Sequence, residues 1–388
     1  MRHFVSRRVA KVPPSAIRRF FEILNTMDDV ISLGIGEPDF VTPDHICQAG
    51  IDSLRNGCTS YSSNAGSLEL RELIAAKLDE LYGIQYDPEA EIVVTVGASE
   101  AIADFMIAAL DPGDEVIIPQ PCFVSYVPSV LFAGGTPVTV DTHLEDDFAV
   151  TAEEIEACIT PRTKVLFLSY PSNPTGAVVS RDEMLRISEM ARQHDLLVLS
   201  DEIYDRLVYG VEHVCVAALP GMRERTVHIG GFSKSYAMTG WRIGFVAGPE
   251  EIMSAIAKVH QYVIMCAPTI AQHAAMQALK YGEPDIQQMV SEYDRRRRFI
   301  VQGFNEIGLP TFEPRGAFYC FPQVSGLGMD DETFAEQLLV EERVALVPGS
   351  AFGPTGREHV RACYAAPMDE IEEALARVRR FVERHAAG

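Results

Sequence analysis

The sequence predicts an α/β fold, with a large doubly wound domain built on a mostly parallel sheet and a smaller α+β domain beside it. From about residue 91, short runs rich in Val, Ile and Leu, among them EIVVTV, DEVIIP, TKVLFLSY, DLLVLSD and TVHIGGF, alternate with segments of helical spacing. Near-continuous apolar runs mark strands covered on both faces, the arrangement of a parallel sheet sandwiched between helices. Beyond about residue 284 the alternation stops, and one long charge-rich helix leads into shorter apolar runs. That change of pattern marks the second domain.

In chain order, residues 14–27 read as a helix, entered through Pro13-Pro14 and carrying Ile17, Phe20, Phe21 and Leu24 at helical spacing. VISLGIGEPDF follows as a short strand ending in a Gly/Pro loop. Residues 1–43 lie outside the regular alternation and are assigned to the small domain. Residues 44–283 form the large domain. Its first helices, 44–56 and 67–82, flank the polar loop TSYSSNAG. EIVVTV then runs through glycine into the helix GASEAIADFMIAAL, and TPVTVD, a helix at 180–194 and IGFVAG continue the series. Helices at 250–265 and 268–281 close it. Residues 284–388 complete the small domain with a helix at 284–307, the short strands TFE, AFYCF, RVALVP and HVRACY, and a last helix at 368–386.

With 388 residues and 47% hydrophobic content the chain can bury a large core. A formal charge of −22 and a pI near 4.8 argue against nucleic acid or an anionic membrane as the main partner. Eight cysteines without a C-x-x-C pair fit reduced, buried thiols, so neither a disulfide framework nor a metal site is expected. The N-terminus has no signal-peptide h-region, and no apolar run approaches the roughly 18–20 residues of a membrane span. A cytoplasmic protein is expected.

Ligands of open α/β sheets sit beyond the carboxyl ends of the strands, and polar clusters fall at such ends here. Gly97-Ala98-Ser99-Glu100 joins a strand to a helix start, where free N–H groups attract an anion such as phosphate; the same residues suit an ordinary N-cap. Asn173-Pro174-Thr175-Gly176 is a turn whose amide can donate to a ring hydroxyl. In SDEIY, Asp201 follows a buried run, where a carboxylate is costly unless paired; a cationic ring nitrogen would pair it, as a helix N-cap would satisfy it. GFSKSYAMTGWRIG, residues 231–244, carries Ser233, Lys234 and Arg242 between two apolar runs. Lys234 is one of six lysines in the chain. Its amine can lose a proton and attack a carbonyl, which a guanidinium cannot do. Arg242 suits bidentate phosphate binding.

A phosphate cradle, an amide, a carboxylate for a ring nitrogen and an amine for a carbonyl together match pyridoxal 5′-phosphate, whose ring acts as an electron sink. Phe123, after DEVIIP, stands where an aromatic could stack on that ring; core packing would also account for it.

SDEIY, YPSNPTG and FSKSYAMTGWRIG, in that order, closely resemble the class I aminotransferases of the aspartate aminotransferase superfamily, and the resemblance runs from SLGIGEPDF to HVRACYAAPMDEIEEAL. It implies the pyridoxal-phosphate fold type I and a homodimer with shared active sites. Lys234 then resembles the lysine that carries the cofactor and shuttles protons, and Asp201 the residue that keeps the ring nitrogen protonated. Asn173 and Tyr204 resemble the pair on the ring oxygen, and Ala98, Ser99, Ser233 and Arg242 the phosphate-binding positions. Phe123 sits at the stacking position. Tyr61 resembles the tyrosine that reaches the phosphate of the other subunit. Arg361 resembles the clamp on the substrate α-carboxylate, with Gly36 beside it and Asn173 shared with the cofactor. The implied mechanism is ping-pong transamination between an amino acid and a 2-oxo acid, with Lys234 made basic by the cationic cofactor and Arg242.

A carbon–sulfur β-lyase could use nearly the same site, and would release ammonia without needing an oxo-acid acceptor. A transcription regulator on this fold would add a DNA-binding module, for which the acidic chain offers no segment. The wording of SLGIGEPDF and PCFVSYVPSVLFAGGTPV resembles the branch with aromatic and aspartate aminotransferases. No arginine matches a motif for a distal carboxylate, which favours aromatic or broad specificity, with Ile17 and Ile35 as candidate apolar walls and aspartate as the next choice. Alanine and acetyl-diaminopimelate remain alternatives.

Overall fold

A computed structural model describes residues 4–13 and 27–386. The helix expected over 14–27, Ile17 included, lies outside the described residues but for Met27. Strand β1 spans Ile31–Ser32 and belongs to the small unit. The large sheet comprises β2 (Ile92–Thr95), β3 (Glu115–Gln120), β4 (Thr136–Asp141), β5 (Thr163–Leu168), β6 (Leu197–Asp201), β7 (Thr226–Gly231) and β8 (Gly244–Ala247). Its seven strands run in the order β2-β8-β7-β6-β5-β3-β4. All neighbours are parallel except at β8, which is antiparallel to both β7 and β2.

The burial of these strands follows from their sequence. Every residue of β3 is buried, and its side chains alternate between faces. Val116 and Ile118 join Phe105 of the helix Ala98–Ala109 on one face, while Ile117 packs with Leu166 and Val198 on the other. The edge strand β4, TPVTVD, buries only Val140 fully. Its Thr and Asp side chains face water, as suits a strand paired on one side.

The small unit is built on the 25-residue helix Glu283–Ile307 and the helix Met368–Ala386. Strands β9 (Tyr319–Cys320), β11 (Val347–Pro348) and β12 (Val360–Cys363) form an antiparallel sheet in the order β11-β12-β9. β1 pairs in parallel with β10 (Val344–Ala345), and Cys363 N donates to Leu33 O at 2.7 Å. These bonds tie the segment around residues 31–33 to the C-terminal unit.

Two local expectations change. RVALVP splits into β10 and β11, which pair with different strands. TFE forms no strand, because the Asn305 side chain captures that backbone: its Oδ1 accepts from Thr311 N at 3.0 Å and its Nδ2 donates to Thr311 O at 2.9 Å. No helix among the described residues is long and apolar enough to cross a membrane.

Candidate active site

The carboxyl ends of the strands converge on a cavity of about 630 Å³. β2 delivers Ala98 and Ser99, β3 delivers Phe123, β5 Asn173, β6 Asp201, and β7 Ser233 and Lys234. Gly36 enters from the N-terminal segment, and Tyr319 and Arg361 enter from the small unit. The site therefore lies where the two units meet.

Lys234 stands just past β7, held by the buried Phe232 before it. Its Nζ donates to Gly36 O at 2.6 Å and lies 5.5 Å from the centre of the Phe318 ring. Burial brings its ammonium down to about 8, and the charges of Arg361 and Arg242 push the same way. Of the two causes expected from the sequence, Arg242 contributes in this direction, and among the protein's own groups burial is the largest cause. Gly36 has to be small, since a Cβ there would lie 2.6 Å from the Tyr319 hydroxyl.

Asp201 closes the cavity on the β6 side. Its Oδ2 accepts from the Tyr126 hydroxyl at 2.8 Å and its Oδ1 from Ile203 N at 3.3 Å. Burial pushes its carboxyl up to about 6, opposed by those two bonds. Both donors are neutral, so a cationic ligand nitrogen would complete the site.

Arg361 is 4% exposed and lies between the Tyr319 and Phe352 rings, 4.5 and 4.8 Å from their centres. Its Nη1 donates to Asn173 Oδ1 at 2.9 Å and its Nη2 to Gly34 O at 2.7 Å, while its buried Nε has no partner among the described residues. The Asn173 oxygen is thereby engaged, leaving its amide NH2 able to donate. The hydroxyls of Tyr204 and Tyr319 are paired at 2.9 Å.

At the other end of the cavity, Gly97 has φ +75° and caps the helix Ala98–Ala109. The Arg242 guanidinium lies against it, so that a Cβ at Gly97 would stand 2.8 Å from Nη2. Arg242 itself has φ +51° and bonds Thr239 O at 3.0 Å. Helix N–H groups, a guanidinium and the Ser99 and Ser233 hydroxyls surround a space suited to a phosphate dianion. Phosphate cradle, a buried carboxylate held by neutral donors and a depressed amine together fit pyridoxal 5′-phosphate, and the volume lies within the range of small-ligand pockets.

Not every expected residue reaches the cavity. Tyr61 is 81% exposed and does not line it, and neither does Ile35. The sequence reading also missed contributors. Tyr126 and Tyr319 sit in apolar contexts that read as core, and Glu37, which accepts from Thr239 Oγ1 at 3.0 Å, lines the mouth. Two buried clusters with metal-ligating atoms within 4.8 Å of one another, Glu202/Cys215/His228 and Glu100/Asp104/His260, were not foreseen either. Glu202 is engaged by Ser200, Val216 N and His213, and Glu100 by Val96 N and His260, while Asp104 Oδ2 lies 3.8 Å from His260 Nδ1 without a hydrogen-bond partner among the described residues.

A profile described as aminotransferase class I and II matches residues 28–378. An aspartate aminotransferase of Pyrococcus abyssi is 45% identical over 97% of this chain and 98% of its own. An aromatic-amino-acid aminotransferase 2 of Thermococcus litoralis is 43% identical over 98% of each chain. The crystal structure of an aromatic aminotransferase from Pyrococcus horikoshii superposes with a TM-score of 0.90 at 45% identity, covering 94% of this chain and 99% of that one.

Proposed function

The chain belongs to the class I and II aminotransferases, and on that premise we propose that it moves the amino group of an aromatic or otherwise uncharged L-amino acid to a 2-oxo acid such as 2-oxoglutarate. Pyridoxal 5′-phosphate supplies the electrophilic aldehyde and the electron-withdrawing ring. In this reading Arg242, Ser99, Ser233 and the backbone at Ala98 hold the phosphate. Asp201 holds the ring nitrogen, Asn173 and Tyr204 the ring oxygen, and Phe123 stacks on the ring face. Arg361, with Gly36 and Asn173 beside it, binds the substrate α-carboxylate. Lys234 Nζ takes the proton from the substrate Cα and returns it, a task suited to an amine that titrates near 8.

One observation carries the substrate choice. Among the described residues lining the cavity, the cationic side chains are Lys234, Arg242 and Arg361, and each has a role above. Within one chain, a second substrate carboxylate would find no further guanidinium among the described lining residues, whereas an aromatic ring requires none; an arginine brought by the other subunit would reverse the preference. Relatives named for aspartate and for aromatic substrates are about equally similar, so their names do not decide between the two.

The same reading makes the protein a cytoplasmic homodimer. Tyr61, exposed on the single chain, would then serve the phosphate bound in the other subunit. The test mixes the yellow holoenzyme with single amino acids, without acceptor, and follows its visible band. Rapid bleaching by phenylalanine or tyrosine but not aspartate is expected. The opposite pattern overturns the substrate assignment.

A further inference from the structure

We propose that Tyr126 is a positioning residue for Asp201, its hydroxyl fixing the carboxylate so that the other oxygen is presented to the cofactor ring nitrogen. The inference rests on the reading of Asp201 as the ring-nitrogen partner and adds a residue to it.

Tyr126 is 3% exposed and touches three parts of the site. It opens the helix Tyr126–Ala133, and its N–H donates to Phe123 O at 3.1 Å, within the same turn as the aromatic that faces the cavity. Its ring stands edge-on to Phe123 at 5.7 Å and packs on Phe167 of β5 at 4.2 Å. Its hydroxyl lies 2.8 Å from Asp201 Oδ2 and 2.8 Å from Ser169 Oγ, just past β5.

The direction of these bonds follows from proton counting. An ionised carboxylate only accepts, so the single phenolic proton of Tyr126 points to Asp201. The Tyr126 oxygen is then the acceptor, and Ser169 donates to it. Ser169, Tyr126 and Asp201 form a directed chain, in which each bond polarises the next.

Without that hydroxyl, Asp201 would keep one hydrogen bond, the longer one from Ile203 N. Burial already drives the carboxyl upward, and the Tyr126 bond is the largest opposing influence. The other ionisable groups around it are His228 on β7 and the adjacent Glu202, which act in opposite directions. A carboxyl that took up a proton would lose its attraction for a cationic ring nitrogen, and one free to rotate would lose its aim.

The test is a double-mutant cycle on the holoenzyme with Tyr126→Phe and Asp201→Asn, read by cofactor dissociation constant, by pH titration of the visible band, and by kcat. Tyr126→Phe keeps the ring and its packing. A hydrogen bond to a charged group corresponds to about 10- to 100-fold in an equilibrium or a rate. Cofactor affinity and kcat should fall within that range, and the band midpoint should move up by about one pH unit, because a weaker positive charge on the ring retains the proton on the Lys234 nitrogen longer. In the Asp201→Asn background the same change should add less than about threefold. Ser169→Ala should shift the midpoint in the same direction by less, and it serves as the probe should Tyr126→Phe not fold. Losses that simply multiply, or an unmoved midpoint in both hydroxyl variants, would make Tyr126 a packing residue and overturn the proposal. If Asp201→Asn alone leaves affinity and band unchanged, the reading of Asp201 itself fails and takes the proposal with it.

Discussion

Arg361 Nη1 donates to Asn173 Oδ1 at 2.9 Å, joining a strand of the small unit to the loop after β5 across the floor of the cavity. The bond fixes two groups at once. It aims the guanidinium, and it commits the Asn173 oxygen so that the amide NH2 remains as donor. The Tyr319 and Phe352 rings complete the mounting, with centres 4.5 and 4.8 Å from the guanidinium carbon.

Replacing Arg361 by Lys should therefore be costly although charge is kept. An ammonium cannot bond Asn173, Gly34 and a carboxylate in one plane, and it does not stack. The loss of a charge-assisted bond predicts a fall in kcat/KM of about 10- to 100-fold, carried mainly by KM for the amino acid. Steady-state kinetics measures this. Cofactor affinity should fall less than substrate affinity, because in the proposed reading Arg361 holds the substrate and reaches the cofactor only through Asn173.

Gly97→Ala tests the phosphate end. An alanine at φ +75° carries backbone strain, and its Cβ would press the Arg242 guanidinium from 2.8 Å. The guanidinium is the end of a flexible side chain and will yield, but by leaving the place from which, in the proposed reading, it would meet the phosphate. Losing a charge-assisted bond to the phosphate is worth about 1.5–3 kcal/mol, so the cofactor dissociation constant should rise about tenfold or more. The backbone strain lowers the stability of free and loaded protein alike. Equilibrium dialysis of the cofactor checks it, and a variant that binds as tightly as the parent would remove Gly97 and Arg242 from the phosphate site.

Lys234 should also be identifiable by its titration in the cofactor-free protein. Only the neutral amine reacts with an acylating reagent, so reactivity rises with pH through the midpoint. For Lys234 that midpoint lies near 8, lowered by burial. An ordinary exposed lysine reacts with a midpoint near ~10.4. Peptide mapping after brief acetylation at several pH values should show the Lys234 peptide labelled first. Equal labelling of all lysines would mean that the site does not depress this amine.

The strand-end residues were legible because sequence punctuation coincides with topology. Asp201, Asn173 and Lys234 each follow an apolar run that can only be a buried strand, and consecutive parallel strands bring their carboxyl ends to one edge. Tyr126 and Tyr319 were not legible, because what matters in them is the hydroxyl's partner. An aromatic ring among apolar residues reads as core, and both rings are indeed buried. The TFE segment, expected as a short strand, is not one because the side chain of Asn305, six residues before Thr311, takes the backbone bonds a neighbouring strand would need. The exposed position of Tyr61 shows a further limit, since a role in another subunit has no counterpart within one chain.

His359 offers a prediction about stability rather than catalysis. It is 5% exposed, stacked on Phe321 at 5.0 Å and edge-on to Phe148 at 5.3 Å, and neither ring nitrogen has a hydrogen-bond partner among the described residues. Burial lowers its pKa from 6.5 to about 4. Between those values the unfolded chain binds a proton that the folded protein does not, so stability falls as pH drops from 6.5 toward 4. Asp201, raised to about 6, and Asp104, raised to about 7, titrate in the same range with the opposite sign, so the melting curve of the parent alone does not isolate the effect. The variant His359→Phe does. It keeps the stacked aromatic, removes two unpaired nitrogens and removes the titration. Its melting temperature should exceed that of the parent by a margin that widens steadily from pH 6.5 to pH 4.5. A constant margin across that range would show that His359 takes up its proton in the fold as readily as in the unfolded chain.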